Sequence, residues 1–266
     1  MGFFKNKPTR VLIMIMVTLV LCAALVAKFY YSRVNQAVDP RVKPARELYG
    51  RYNGLAQANN YTAIFELLDS VEAVYSKYVH YRNSYETGVI WNNRAAVYLT
   101  LAVYKDSLPN MGGSEDINSI SLDSLLILSE NASLKSISIY QSWNRIYQDK
   151  NVEDLPDIIS KDFTIGLEEY SPERQSRFLS SRVKEIEEAQ WETQRRLSVA
   201  YTNLGLAYRQ RNDFDNAAKH YTKALELWED NLSAENNLNR LLGKPLRKRS
   251  IIQKLFPREK KNTDKN

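Results

Sequence analysis

SVAYTNLGLAYRQRNDFDNAAKHYTKALELWE, residues 198–229, is the stretch that decides how this chain folds. Its second half places Phe214, Ala217, Ala218, Tyr221, Ala224, Leu225 and Trp228 at steps of three and four. Such steps mark one face of an α-helix. Leu204, Ala207 and Tyr208 do the same in the first half, and Arg211, Asn212 and Asp213 between them are polar and turn-prone. The spacing predicts a helical hairpin closed by a short turn.

The details of that hairpin resemble a tetratricopeptide repeat. The family pattern sets a large residue, a Leu-Gly pair and an aromatic along the first helix, and small and aromatic residues along the second. Tyr201, Leu204, Gly205 and Tyr208 fit the first set, and Phe214, Ala217, Tyr221 and Ala224 the second. The closing proline of the pattern is absent, with Glu229 in its place. Gly205, Ala217 and Ala224 would let two antiparallel helices approach, and the aromatics would fill the gaps beside them. By the same resemblance the partner-binding groove is lined by exposed first-helix residues, here Thr202, Asn203, Leu206, Arg209 and Gln210. Their mixed character favours no ligand charge.

One repeat cannot bury its own faces, so neighbours are expected. Trp91, Ala95 and Tyr98 repeat the first-helix spacing, with Arg94 in place of the leucine. Residues 108–117 (LPNMGGSEDI) read as a loop, after which helix resumes near Ser121 and runs through Leu125, Leu126 and Leu128 toward Tyr147. An earlier pair, 45–58 and 62–78, turns at Asn59 and Asn60 and matches the family pattern poorly. Ser171, Pro172 and Glu173 form a helix start. No strong breaker follows until Asn212, which implies one helix of roughly forty residues. Its charged outer half, 174–196, is expected to project beyond the body. Residues 233–242 read as a capping helix stopped by Gly243 and Pro245.

At the other end, residues 11–27 (VLIMIMVTLVLCAALVA) are uncharged between Arg10 and Lys28. With Phe29, Tyr30 and Tyr31 as an interfacial belt, residues 11–31 read as a transmembrane signal-anchor. Leu25 and Leu21 argue against a signal-peptidase site and against lipid modification of Cys22, the lone cysteine. The expected fold class is therefore all-α: a transmembrane helix followed by an α-solenoid of antiparallel helix pairs. The segments are a tail (1–10), the anchor (11–31), a linker (32–44), a degenerate repeat region (45–170), the long helix with repeat and cap (171–243), and a basic tail (244–266). The N-terminus is placed inside the cell and the body outside the cytoplasm.

The net charge of +6 divides into +6 for residues 1–49, −7 for 50–243 and +7 for 244–266. A basic pI that comes from the two ends, beside a mildly acidic body, disfavours nucleic acid as a partner. Ile251, Ile252, Leu255 and Phe256 lie beside Arg247, Lys248, Arg249 and Lys254, a segment that suits anionic lipid.

Catalysis finds no foothold. His80 and His220 have no partner at metal-ligand spacing, and His220 falls on the polar side of its helix. Gly112-Gly113 is an isolated pair, the run 185–188 (EIEE) belongs to a charged face, and no phosphate loop or nucleophile elbow occurs. Asn60, Asn131 and Asn231 open glycosylation triplets in form alone. No cofactor or metal is expected. The function this implies is a non-catalytic, membrane-anchored scaffold or adaptor for protein partners at the cell envelope. The alternative is an envelope-assembly or chaperone-like accessory for translocated proteins. Two further readings are a subunit that docks an enzyme, and a cytoplasmic body whose tail contacts lipid or nucleic acid.

Overall fold

The computed structural model describes residues 15–20, 37–104 and 119–248, and every regular element among them is helical. We number the α-helices α1 (Lys43–Tyr49), α2 (Tyr52–Gln57), α3 (Tyr61–Ser76), α4 (Tyr85–Tyr104), α5 (Leu122–Tyr147), α6 (Leu155–Phe163), α7 (Pro172–Gln210), α8 (Phe214–Leu227) and α9 (Leu232–Leu241). Short 3-10 turns at Val79–Tyr81 and Val152–Asp154 lead into α4 and α6.

The expected transmembrane anchor is not carried forward. Among the described residues no helix is long and apolar enough to cross a membrane. Of the stretch 11–31, only residues 15–20 are described, a helical piece whose side chains are exposed. The rest of that stretch lies outside the described residues, as do the predicted loop 108–117 and tail residues Arg249 and Lys254. The single-pass membrane localisation falls with the anchor.

The remainder is a stack of antiparallel hairpins. The broken pair α1 and α2 packs on α3, α4 on α5, and the second half of α7 on α8. Each second helix also touches the next first helix: α3 meets α4, α5 meets α7, and α8 meets α9. One turn geometry recurs. Asn59 (φ 52°), Asn212 (φ 62°) and Gly243 (φ 65°) each take the left-handed conformation just after a helix. In all three the next residue's N–H reaches five residues back: Asn60 to Leu55, Asp213 to Tyr208, and Lys244 to Asn239. This is the Schellman closure, which asparagine and glycine tolerate best. Asn60 and Asp213 then cap the following helix, their side chains accepting from the N–H groups of Ala63 and Asn216 at 3.1 Å.

The α4–α5 pair packs through small residues on both facing surfaces. Gly88, Ala95 and Ala102 recur every seventh residue on α4, all buried, against buried Ser129, Ala132, Ser133 and Ser136 on α5. Ser136 Oγ donates to the Gly88 carbonyl and Ser129 Oγ to the Ala95 carbonyl, both at 2.9 Å. At Gly88 a Cβ would sit 2.6 Å from the Tyr140 ring, and at Gly205 it would sit 2.7 Å from the Tyr221 ring. The same glycine-on-tyrosine contact thus recurs in two hairpins. The sequence placed the small first-helix position of the earlier hairpin at Ala95; the structure places it seven residues upstream.

The long helix runs 39 residues from Pro172 to Gln210, but its first half does not project. Phe178, Val183, Ile186 and Ala189 are buried in one cluster with α1, α3, α6 and the 79–81 turn. Arg182 is 3% exposed there. Its guanidinium grips Glu86 bidentately, donates to Glu185 (3.0 Å) and to His80 Nε2 (2.9 Å), and lies 4.6 Å over the Tyr81 ring. Arg46 of α1 pairs with the same Glu185 at 2.6 and 2.7 Å. Nearby, Asp39 accepts from the buried Tyr81 hydroxyl and pairs with Arg41, whose guanidinium stacks over Phe163. Arg182 and Glu185, two of the charged residues that suggested a solvated face, are polar ties of this core, while Lys184 and Glu188 remain exposed.

His80 gives that core an acid sensitivity. Its Nε2 accepts from Arg182, so the ring proton sits on Nδ1. Burial, and then the Arg182 charge, push its pKa down to about 3. The unfolded chain binds a proton near pH 6.5 and the folded one does not, so stability falls as pH drops from 6.5 toward 3. Between pH 7 and 5 we expect a loss of about 1–2 kcal/mol. Urea midpoints across that range would show it. His80→Gln, which keeps an acceptor but cannot titrate, should flatten the slope; an unchanged slope would refute the assignment.

Candidate partner-binding groove

Of the predicted repeat-packing residues, Leu204, Ala217, Tyr221 and Ala224 are at most 1% exposed and Gly205 is buried. Tyr201 and Tyr208 are half-buried, and Phe214 is 51% exposed. His220 is no simple surface histidine. It stacks against both Tyr201 (5.9 Å) and Tyr208 (5.2 Å), and burial followed by the Lys219 charge lowers its pKa. Gln141 donates to the Tyr201 hydroxyl, and Glu130 accepts from Tyr208 and pairs with Arg211. The α5–α8 side of α7 is therefore tied up.

The predicted groove residues divide differently. Thr202 and Asn203 are 3% and 8% exposed, inside helix contacts. Asn203 donates to Asn92 of α4 at 3.0 Å, and Thr202 Oγ1 accepts from Asn231 at 2.9 Å. Arg209 donates to Asn237 of α9. Asn231 is a complete hub: its amide nitrogen serves Ser198 and Thr202 while its oxygen caps α9 at the Ala234 N–H. The neighbours α4 and α9 thus cover three of the five predicted positions. Leu206 and Gln210 keep some exposure, Leu206 while packing beside Leu99 and Ala207.

What stays open lies between those two contacts. On α7 the residues at this angle are Arg195, Val199, Leu206 and Gln210, partly to fully exposed. On α4 the matching face carries Asn93, Ala96, Thr100 and Val103, at steps of three and four, also partly to fully exposed. It is bounded by Asn92 toward α7 and by Asn93, whose amide donates to the Tyr49 hydroxyl of α1 at 2.7 Å. The first helices α4 and α7 therefore lie side by side, with these residues as their partly exposed positions. The chemistry of this face is small and mostly uncharged. Arg195, its strongest charge, leans over the Trp228 ring at 4.9 Å and on Glu192 at 3.4 Å. The α4 residues escaped the sequence reading; the Gly88–Gly205 correspondence is the signal that locates them.

Among the described residues no group of three or more His, Cys, Asp or Glu side chains is placed to hold a metal ion. The shallow depression beside Ser138, Gln141 and Arg145 is lined by α5 alone. The basic tail is described only through Lys248, where Arg247 pairs with Glu235 at 3.0 Å.

The arrangement defines a class: an all-helical protein of stacked antiparallel hairpins. Within it, the tetratricopeptide repeat family model matches residues 198–231, which are the end of α7, all of α8 and the Asn231 hub. No curated protein and no solved structure matches the chain.

Proposed function

We propose that this chain is a non-catalytic interaction scaffold that holds a protein segment in the face shared by α4 and α7. The repeat at 198–231 supports protein or peptide partners as a class. The observation that carries the location is the buried Asn92–Asn203 bond. It sets two first helices side by side while leaving Ala96, Thr100, Val103 and Val199 uncovered. Small side chains allow close approach of an extended backbone, and Asn93 and Gln210 offer donors and acceptors to it. Specificity then rests on shape and backbone hydrogen bonds rather than on charge.

A photoreactive side chain at Thr100 or Val199 should capture one recurrent partner in cells. The same group at Ser138, on the outer face of α5, should not. Equal capture at all three positions, or capture at Ser138 alone, would sink this placement.

A further inference from the structure

Beyond α9 the chain turns back. Gly243 closes the helix, and residues 245–247 run antiparallel along the side of α9 that faces away from α7. That side carries Glu235, Asn236 and Asn239, whereas Ala234 and Asn237 point inward and are buried. Asn236 makes both hydrogen bonds a peptide unit can offer at one residue. Its oxygen accepts from the Arg247 N–H at 2.7 Å and its amide donates to the Arg247 carbonyl at 3.0 Å. Asn239 donates to the Pro245 carbonyl at 3.2 Å, and Glu235 pairs with the Arg247 guanidinium at 3.0 and 3.2 Å.

These contacts read an extended chain in a defined register. A primary amide is a peptide group on a side chain, so one asparagine satisfies a strand residue as a neighbouring strand would. Proline needs no N–H partner and favours the extended form. The carboxylate beside the amide selects an arginine at the same residue. The helices have no further repeat stacked on this side among the described residues, so the face is served by the tail alone.

We infer that the Glu235–Asn236–Asn239 row of α9 is a second peptide-binding site, for an extended basic segment with proline two residues before arginine, and that residues 245–247 occupy it in cis as a self-ligand. The body it belongs to carries −7 over residues 50–243, which complements such a partner. This site is separate from the α4–α7 face, and either can fail without the other.

A strap closed nine-tenths of the time lowers the apparent affinity for an added ligand about tenfold. The probe is a labelled peptide of residues 243–248 titrated onto the full-length chain by fluorescence anisotropy. Arg247→Glu sets like charges together and loosens the strap while leaving the site intact; it should raise peptide affinity about tenfold. Asn236→Ala should abolish binding. Glu235→Lys should reverse the preference, taking a peptide with glutamate in place of the arginine over the native one. A gain of binding cannot come from misfolding, which protects the first and third arms. No gain in Arg247→Glu, or undiminished binding in Asn236→Ala, would overturn the inference.

Discussion

Replacing Arg182 by alanine should cost about 3–5 kcal/mol of stability at pH 7, the range for breaking a buried ion pair from one side. The guanidinium ties four residues on three elements: Glu86 on α4, Glu185 on its own helix, and His80 and Tyr81 in the turn between α3 and α4. Glu185 keeps Arg46 in the variant, but Glu86 loses its only ion-pair partner among the described residues. The pH dependence distinguishes this from simple loss of packing. Burial pushes the Glu86 carboxyl up, yet the Arg182 charge and hydrogen bonds outweigh that and hold it at about 2. The wild type therefore gains stability from Glu86 above the ordinary pKa of 4.5 and loses it as pH falls toward 2. In the variant burial still pushes the carboxyl up, now opposed only by the smaller pull of hydrogen bonds from Ser84 and the backbone. The stability that Glu86 contributes above its ordinary pKa is therefore lost, and the deficit shrinks in acid. Arg182→Met combined with Glu86→Leu removes both charges and should recover most of the loss. Denaturant melts at pH 7 and pH 4 decide it. A loss below about 1 kcal/mol, the worth of an exposed pair, would mean that the network is dispensable.

This network also explains what the sequence concealed. The hairpin at 198–229 was legible because its turn residues and apolar steps agree, and the observed turn falls at Asn212 and Asp213. The helix start at Ser171 and the stop at Gly243 were legible for the same reason: each is a local signal with a local cause. The first half of α7 was not. Its buried face contains Arg182, and Glu185 stands beside it, so a stripe that faces a core reads as charged. Only the partners, 96 and 139 residues away in sequence, make those charges internal. Thr202 and Asn203 misled in the opposite direction. Small polar residues on a first helix look available, yet each finds its hydrogen bond on a neighbouring helix that local patterning cannot place. The anchor reading rested on an uncharged run, its flanking charges and an aromatic belt, and the described helices supply no span to support it.

The equivalence of Gly88 and Gly205 can be put to a measurement of sign. Alanine for glycine inside a helix ordinarily gains up to about 1 kcal/mol, because the unfolded chain loses freedom. At Gly88 the structure demands the reverse. The new methyl would lie 2.6, 2.9 and 2.9 Å from three carbons of the Tyr140 ring. That ring is fully buried, with Tyr85 packed against it at 5.8 Å, so it cannot retreat without disturbing the α4–α5 contact. Overpacking of this kind costs about 1–3 kcal/mol, enough to outweigh the helix propensity. Gly205 should behave alike: its methyl meets the Tyr221 ring at 2.7 Å and the Ala217 carbonyl at 3.2 Å. Gly54 on α2 is the internal control, since nothing lies within 4 Å of a Cβ there and the residue is exposed. Gly54→Ala should therefore hold or raise the melting midpoint while Gly88→Ala and Gly205→Ala lower it by similar amounts. Were Gly88→Ala to stabilise, the small position of the earlier hairpin would lie elsewhere, and Ala95 would regain its claim. The face assigned to α4 would then be rotated away from α7. If both glycines cost stability together, two hairpins share one packing rule, although only the later one shows it plainly in its sequence.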